Sequence, residues 1–391
     1  MGCFREIRCL NNVLSPTNYE FYTNYEYMFV ISRKNKKLGN MKKRNFVPLV
    51  FLVVALAIGS YLLWHIQGKK IEISGGSGFL PSSSELAIPS PTSAWDKSPI
   101  SGLACLDAQR RPLAVMLSSD AAARPLSGLS EADLVFEMPV ITDSITRLMA
   151  VFVCGNPPEI GSVRSARHDY IPLARGLDAI YSHWGGSHFA LDKLDAGIMN
   201  NIDALKNPFN AFWRKSGVAS PHNGFTSLRR LLEATQKLGY HLEGKFSGYP
   251  HLSDEEISAS GKTAKSLNIG FGGAFQVRYD YDPAADSYLR YRGGSKEIDK
   301  NNSQPIVAKN VVIMRAPSRQ IEGQYNDVAV EGEGKAMVYR DGEEIAATWK
   351  KNAKDQTSKL YFYDNSGQEI KFSPGQIWIE VVEPSQSVTW K

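Results

Sequence analysis

Residues 145–153, Ile-Thr-Arg-Leu-Met-Ala-Val-Phe-Val, form the longest of three short apolar runs in the first half of this 391-residue chain. The other two are Pro112–Leu117 and Leu134–Val140. Short runs of apolar side chains, rich in branched residues and bounded by polar or turn-forming ones, are typical of buried β-strands. We therefore predict three buried strands in this part of the protein.

Helices are expected between these strands and residue 245, so residues 101–245 are predicted to form a mixed α/β region. The predicted helices and one further buried strand are Ala166–Arg175, His188–Asp195, Ser227–Leu238 and the strand Leu177–Tyr181. Thr226 or Ser227 suits the N-cap of the last helix, and Gly239 suits its C-terminal end.

Residues 246–391 show a different pattern, in which strands dominate. Phe275–Tyr281 and Tyr288–Arg292 flank a turn at Asp282-Pro283, which predicts a hairpin. Further predicted strands are Val311–Met314, Lys335–Tyr339, Glu344–Trp349, Leu360–Tyr363 and Gln376–Val382. The expected fold class is therefore α+β, with a mixed α/β N-terminal region and a β-rich C-terminal region after one transmembrane helix.

The transmembrane helix is predicted from an uncharged apolar stretch at Phe46–Trp64. Nineteen helical residues reach about 28 Å, close to the hydrocarbon thickness of a bilayer. Basic residues concentrate on the N-terminal side of the stretch, which places residues 1–45 in the cytoplasm and the C-terminal part outside. We expect a single-pass protein of the cell membrane, with residues 65–100 as a flexible linker rich in Gly, Ser and Pro.

A cleaved signal peptide is the alternative to this anchor. Signal peptides usually have shorter apolar segments, of about 7–15 residues, so an uncleaved anchor is favoured. Met41-Lys-Lys-Arg44 followed by an apolar run is a typical bacterial N-terminus. We therefore hypothesise that translation begins at Met41 and that residues 1–40 are a mis-assigned start.

The positive charge of the chain is concentrated around this stretch. Residues 1–70 carry 11 of the 45 basic and three of the 40 acidic residues, which leaves 34 basic and 37 acidic residues in the remainder. A nucleic-acid-binding domain needs a positively charged face, so the slightly acidic remainder argues against a nucleic-acid partner.

Two of the four cysteines, Cys105 and Cys154, belong to the part expected outside the cytoplasm, where disulfides persist. They fall at the same end of two predicted strands if those strands pair antiparallel. We expect a disulfide between them, with two separate buried thiols as the alternative.

Common catalytic motifs such as G-x-S-x-G, H-E-x-x-H, C-x-x-C and the P-loop do not occur in the sequence. Residues 160–169 instead carry Arg164, Ser165 and Arg167 before a predicted helix. Guanidinium groups near a helix N-terminus suit a carboxylate or phosphate. The alternative is a pair of structural salt bridges to acidic residues such as Glu137 or Asp178.

Two further segments contain histidines next to turn residues. Residues 182–188 place His183 before Gly185 and Gly186 at the end of a predicted strand, where α/β proteins bind ligands. Residues 220–224 contain His222 and Asn223 in a predicted turn. For each histidine a packing or surface role is the simpler alternative. The spacing of His183, His188 and His222 fits no zinc signature, and we predict no metal and no cofactor.

Several of these segments resemble the DUF3048 family, to which YerB-like bacterial envelope lipoproteins belong. The segments that carry the resemblance occur in the family's order: Arg111-Pro-Leu-Ala-Val-Met, Ala123-Arg124-Pro125, Ala132-Asp133-Leu-Val-Phe-Glu137, Ile145-Thr146-Arg147, Gly161-Ser-Val-Arg164-Ser165-Ala-Arg167, His183-Trp-Gly-Gly186, Pro221-His222-Asn223, Lys309-Asn310-Val-Val and Pro374-Gly375-Gln-Ile-Trp378. The resemblance covers residues 100–390 and implies an envelope-facing protein with two family regions. It implies no reaction, and this chain lacks the lipid-attachment cysteine of the lipoprotein members.

Two functions are compatible with these residues. In the first, Arg124, Arg147, Arg164 and Arg167 bind an anionic ligand, such as a cell-wall polymer or a peptide carboxylate. In the second, an envelope hydrolase or transferase uses His183 and His222 for acid/base chemistry, while Glu137 orients a histidine. A third interpretation is that all of these residues serve only folding.

Overall fold

The computed structural model describes residues 96–142, 145–257, 262–323 and 325–391. The predicted cytoplasmic segment 1–45, the predicted anchor 46–64 and most of the predicted linker 65–100 lie outside these residues.

A ten-stranded mixed sheet takes strands from both halves of the chain. From one edge to the other its strands are β19 (Tyr361–Asp364), β18 (Glu343–Lys351), β17 (Gly332–Arg340), β14 (Asn310–Arg315), β20 (Ile377–Val382), β2 (Leu134–Pro139), β3 (Thr146–Phe152), β1 (Leu113–Ser118), β5 (Ile180–His183) and β6 (Asn201–Asp203). The two halves meet where β2 pairs in parallel with β20, with Leu134 opposite Ile377 and Val135 opposite Trp378.

Both faces of this sheet are covered, which explains why its central strands are apolar at nearly every position. Every residue of β1, β2 and β20 is buried. Along β1, Ala114 and Met116 contribute to one hydrophobic cluster, while Leu113, Val115 and Leu117 contribute to another. This alternation follows from the two-residue period of a β-strand.

The remaining strands form smaller sheets. The second sheet has the order β12 (Ser295–Lys296), β11 (Ser287–Arg292), β10 (Val277–Asp282), β9 (Lys265–Ile269) and β21 (Val388–Trp390), and β13 (Val307–Ala308) also pairs with β11. The two short sheets are the pair β15 (Ser318–Glu322) and β16 (Tyr325–Val328), and the set β4 (Ile160–Gly161), β8 (Gly224–Thr226) and β7 (Phe212–Arg214). The predicted hairpin around Asp282-Pro283 is confirmed as β10 and β11.

Three α-helices occur in the described part of the chain: α1 (Tyr170–Gly176), α2 (His188–Asp195) and α3 (Leu228–Lys237). The prediction for α2 is confirmed at both ends. Serine side chains cap the starts of α2 and α3, because Ser187 Oγ accepts from Ala190 N and Ser227 Oγ accepts from Arg230 N.

The expected α+β fold class is wrong, because the described residues are mostly β. Strands account for 39% and helices for 13% of them. The helix predicted from Ala166 begins only at Tyr170, since Ala166 N and O bond to the backbone of Gly185 and Ser187. Among the described residues no helix has the length and apolar character needed to cross a membrane.

A disulfide joins Cys105 to Cys154, 49 positions apart. Cys154 lies two residues beyond the end of β3. The Asp133 carboxylate, just before β2, accepts from Val153 N at 2.7 Å and Cys154 N at 3.0 Å. These bonds fix the backbone on one side of the disulfide.

Candidate functional site

Backbone hydrogen bonds join the three segments that the sequence singled out. Arg164 N donates to Met116 O at 2.8 Å, and Arg164 O accepts from Trp184 N at 3.0 Å. Val163 N donates to Gly224 O at 2.8 Å. Residues 160–169 therefore lie between the C-terminal end of β1, the loop after β5 and the start of β8.

Two glycines allow this close approach. Gly185 has a φ of +58°, a conformation that other residues rarely adopt, and its N–H donates to Asp203 Oδ1 at 2.8 Å. At Gly224, a Cβ atom would stand 2.5 Å from the indole of Trp184. Neither position tolerates an ordinary side chain without movement.

Arg147, Arg164 and Arg167 form the arginine cluster. Arg147 belongs to β3, and its Nη1 donates to Ser165 O at 3.1 Å. Its Nε is buried without a hydrogen-bond partner, and no carboxylate pairs with it among the described residues. Burial, together with the charges of Arg167 and Arg164, lowers the pKa of Arg147 to about 10.

Arg164 is the member of the arginine cluster that has a carboxylate partner. Its Nη2 lies 2.8 Å from Asp120 Oδ2, and its Nη1 donates to Pro221 O at 3.4 Å. Burial alone would raise the pKa of Asp120, but hydrogen bonds from Arg164 and Ser118 and the charge of Arg147 outweigh it and lower that pKa.

His222 lies at the edge of the same group, with Nδ1 4.0 Å from Asp120 Oδ2. This nitrogen is buried and has no hydrogen-bond partner among the described residues. Burial and the charge of Arg164 lower the pKa of His222, which favours the neutral ring at neutral pH. A neutral imidazole beside the guanidiniums can donate to or accept from a bound ligand.

Arg167 is buried and lies over an aromatic ring. Its guanidinium carbon is 4.8 Å from the ring centroid of Tyr325 in β16. No hydrogen bond or ion pair of its side chain occurs within the described residues, and its Nε is buried without a partner. Burial is the main cause of its lowered pKa. Two of the three cluster guanidiniums thus lack a carboxylate.

Arg124, expected in the anion site, lies elsewhere. Its Nη2 donates to Ser119 O at 2.6 Å and to Ala274 O at 3.1 Å. Burial and the charge of Arg292 lower its pKa. Arg124 therefore belongs to the neighbourhood of Arg292 and connects the first half of the chain with the loop before β10.

Glu137 does not orient a histidine, contrary to the expected role. Its carboxylate is fully buried and binds Arg292 Nη1 at 2.7 Å, with further contacts to Thr146 and to Arg290. Burial raises its pKa, but the charges of Arg292 and Arg290 outweigh this effect and lower it. Both carboxylate oxygens are used within this ion-pair network.

His183 is completely buried, and its ring nitrogens face protein acceptors. Nδ1 lies 2.8 Å from Gly185 O, and Nε2 lies 3.3 Å from Asn201 Oδ1. Burial lowers its pKa, so the ring is neutral at neutral pH and donates through only one of these nitrogens. These contacts stabilise the turn at Gly185 and do not expose the ring to a ligand.

Asn223 and Gly186 support the site from outside the arginine cluster. Asn223 Oδ1 accepts from Arg214 Nη1 at 2.7 Å, and Arg214 lies 4.4 Å from the ring centroid of Trp184. Gly186 forms a parallel bridge with Ala166. Gly186 thus holds the segment that carries Arg167, while Asn223 holds Arg214 next to Trp184.

Asp120 and Tyr325 also belong to this neighbourhood, although neither was predicted from the sequence. Asp120 follows the apolar run of β1, and polar residues at the end of a buried strand are a recognisable signal. Tyr325 has no such signal, because it reaches Arg167 from a hairpin about 160 residues further along the chain.

Known proteins resemble this chain over most of the part that the structure describes. Residues 100–241 match the N-terminal domain, and residues 267–379 the C-terminal domain, of a family described as a protein of unknown function, DUF3048. A relative described as "Putative lipoprotein YerB", from Bacillus subtilis, is 30% identical over 292 residues, which cover 73% of this chain and 86% of that protein.

A solved structure shows the same fold. The crystal structure of YerB protein from Bacillus subtilis superposes with a TM-score of 0.67 at 29% identity, covering 75% of this chain and 99% of that chain.

Proposed function

Since this chain belongs to the DUF3048 family, we propose that it is an extracytoplasmic envelope protein that binds an anionic ligand through Arg147, Arg164 and Arg167. The location rests on the Bacillus subtilis relative, whose description reads "Putative lipoprotein YerB". The ligand rests on the charges and contacts of the arginine cluster.

The missing carboxylate at Arg147 is the observation that carries this proposal. The guanidinium of Arg147 is largely removed from water, and a charge in such a position destabilises the fold unless a partner compensates it. The same protein supplies such partners elsewhere, since buried Arg290 contacts Glu137, Glu297 and Glu380. At Arg147 and Arg167 no carboxylate of the described residues lies within ion-pair distance, and Asp120 and Asp169 act on them only from further away. An external anion would therefore complete the site.

A carboxylate or phosphate group suits the geometry best. Guanidinium groups bind these anions through paired N–H donors, and charge-assisted hydrogen bonds are about twice as strong as neutral ones. Arg167 lies 4.8 Å from the ring centroid of Tyr325, and its Nε has no acceptor among the described residues. We propose the carboxylate of a wall peptide or the phosphate of a wall polymer as the group bound.

Titration of the full-length protein with inorganic phosphate and with acetate in a chloride buffer tests this proposal by calorimetry. Arg147→Gln and Arg167→Gln should each weaken binding at least tenfold, because each removes charged hydrogen bonds worth about 1.5–3 kcal/mol. Arg229→Gln is the matched control, since Arg229 is an exposed arginine of α3 that pairs with Glu233. It should leave the affinity unchanged.

Asp120→Asn should strengthen anion binding, whereas the two arginine variants should weaken it. This carboxylate competes with an incoming anion for Arg164, so its neutralisation should raise the affinity several-fold. A purely structural cluster would not gain affinity in this variant. Absence of saturable binding by the wild type, or equal binding by Arg147→Gln, would refute the proposed function.

A further inference from the structure

We propose that His168, Asp169 and Asp327 form a binding site for a divalent transition-metal ion, separate from the anion site. His168 and Asp169 directly precede α1, and Asp327 comes from β16. One ligand atom from each residue lies within 4.8 Å of the other two. We refer to these three residues as the histidine–aspartate cluster.

The distances within this cluster fit a metal ion. His168 Nε2 lies 3.1 Å from Asp169 Oδ1 and 3.4 Å from Asp327 Oδ1. A tetrahedral ion about 2.1 Å from each ligand separates its ligands by roughly 3.4 Å. The imidazole and the two carboxylates can therefore contact one ion after only small side-chain movements.

The types of ligand narrow the choice of metal. One imidazole nitrogen with two carboxylate oxygens suits Zn²⁺ or Mn²⁺ and leaves coordination positions open to water or a ligand. Ca²⁺ prefers six to eight oxygen ligands, and three residues with a nitrogen among them suit it poorly. We therefore infer a transition-metal ion.

Asp169 provides the second observation in favour of this site. Its side chain is only 4% exposed, and both of its partners, Val328 N and His168 Nε2, contact Oδ1. Oδ2 accepts no hydrogen bond among the described residues. That oxygen is not one of the fully buried atoms without a partner, so it stays accessible and can coordinate a bound cation.

Neighbouring groups orient the ligands and balance their charge. Arg319 Nη2 binds Asp327 Oδ2 at 3.0 Å, which leaves Oδ1 of the same carboxylate toward His168. Such outer contacts commonly fix metal ligands in place. Lys193, Arg167 and Arg319 are the nearby cations, and Asp169 and Asp327 are the nearby anions.

Calorimetric titration of the chelator-treated full-length protein with Mn²⁺, and separately with Zn²⁺, tests the site in an anion-poor chloride buffer. Mn²⁺ is the main probe, because the N-terminal thiols Cys3 and Cys9 bind it poorly. We expect one equivalent bound by the wild type. His168→Gln, Asp169→Asn and Asp327→Asn should each weaken that binding at least tenfold.

His188→Gln is the matched control, because the ring of His188 contacts Phe189, as that of His168 does, and pairs with exposed Glu322 outside the cluster. It should bind Mn²⁺ as the wild type does. Asp169→Asn can keep the hydrogen bond from Val328 N, and circular dichroism would verify that each variant is folded. Absence of binding by the wild type, or undiminished binding by a folded variant of any of the three ligands, would overturn the proposal.

Arg147→Gln separates the two proposals. This variant should retain Mn²⁺ binding while it loses phosphate binding, since Arg147 makes no contact with the histidine–aspartate cluster. Loss of phosphate binding alone or of Mn²⁺ binding alone therefore identifies which site has been affected.

Discussion

Replacing Arg147 with methionine should abolish anion binding without destabilising the fold. Most substitutions of buried residues destabilise, by about 0.5–3 kcal/mol. Arg147 differs because its charge has no carboxylate partner among the described residues, whereas Arg290 contacts three. Arg290→Met is therefore the matched comparison, in which the same side chain is exchanged at a position that has partners.

The pKa of Arg147 indicates the size of the effect. A pKa lowered to about 10 means that the folded chain holds the proton less tightly than the unfolded chain, so the charge destabilises the fold at every pH below that value. At about 1.4 kcal/mol per pKa unit the cost is at most about 3 kcal/mol. Solvent at this partly exposed side chain screens it to about 1–2 kcal/mol, and the lost bond to Ser165 O offsets about 1 kcal/mol of that.

We therefore expect Arg147→Met to unfold with the same free energy as the wild type or with about 1 kcal/mol more. Arg290→Met should lower the free energy of unfolding by about 3–5 kcal/mol, because the carboxylates that contact Arg290 in the wild type would stay buried without a cation. Urea denaturation monitored by tryptophan fluorescence measures both. Phosphate at 100 times its Kd should stabilise the wild type by about 2.7 kcal/mol and leave Arg147→Met unaffected. A loss of 2 kcal/mol or more in Arg147→Met would refute this reasoning.

Three further substitutions probe other parts of the structure. Cys105→Ser opens a disulfide that spans 49 positions and should cost about 4 kcal/mol in denaturant unfolding; unchanged stability of the wild type after reduction would contradict this. Burial and Glu137 raise the pKa of Glu380 to about 7. Between pH 4.5 and 7 the unfolded wild type therefore releases this proton while the folded state keeps it, which destabilises the fold as the pH rises. Glu380→Gln should be more stable than the wild type by an amount that grows over this range; thermal unfolding at several pH values that shows no such trend would contradict this. Gly224→Ala places a methyl group 2.5 Å from Trp184 and should lower stability by about 1–3 kcal/mol together with a change in the near-UV dichroism of tryptophan; an unaltered spectrum would show that the loop yields at no cost.

Helices and strands could be predicted from the sequence where the spacing of apolar residues follows one pattern along the whole element. Helix α2 was predicted close to its observed bounds, and the runs around β1, β2 and β3 were recognised as strands. Long-range pairing decided the rest. Ala166 has an ordinary helical context in the sequence, but its backbone bonds to the loop at Gly185. The fold class failed for the same reason, since strands pair across distances that a local pattern does not encode.

The position of the arginine cluster could be predicted in part, from the charged residues and the glycines near them in the sequence. Arg147, Arg164 and Arg167 come together as polar residues at the edges of buried elements, and their motifs were recognisable. Glu137 and Arg124 were assigned to the wrong neighbourhood, because their partners Arg290 and Arg292 lie more than 150 positions away. Asp327 was missed since a hairpin of the second half supplies it.

The pairing of β2 with β20 has a consequence for the order in which the chain matures. β20 ends nine residues before the last residue, and β2 lies more than 240 positions earlier. Until residues 377–382 have been synthesised, the nascent chain exposes an apolar strand edge at Leu134–Pro139. Such an edge is a template for aggregation and slow to close, because the contact spans most of the polypeptide. Fragments that end before β20 are therefore expected to depend on chaperones or to be degraded.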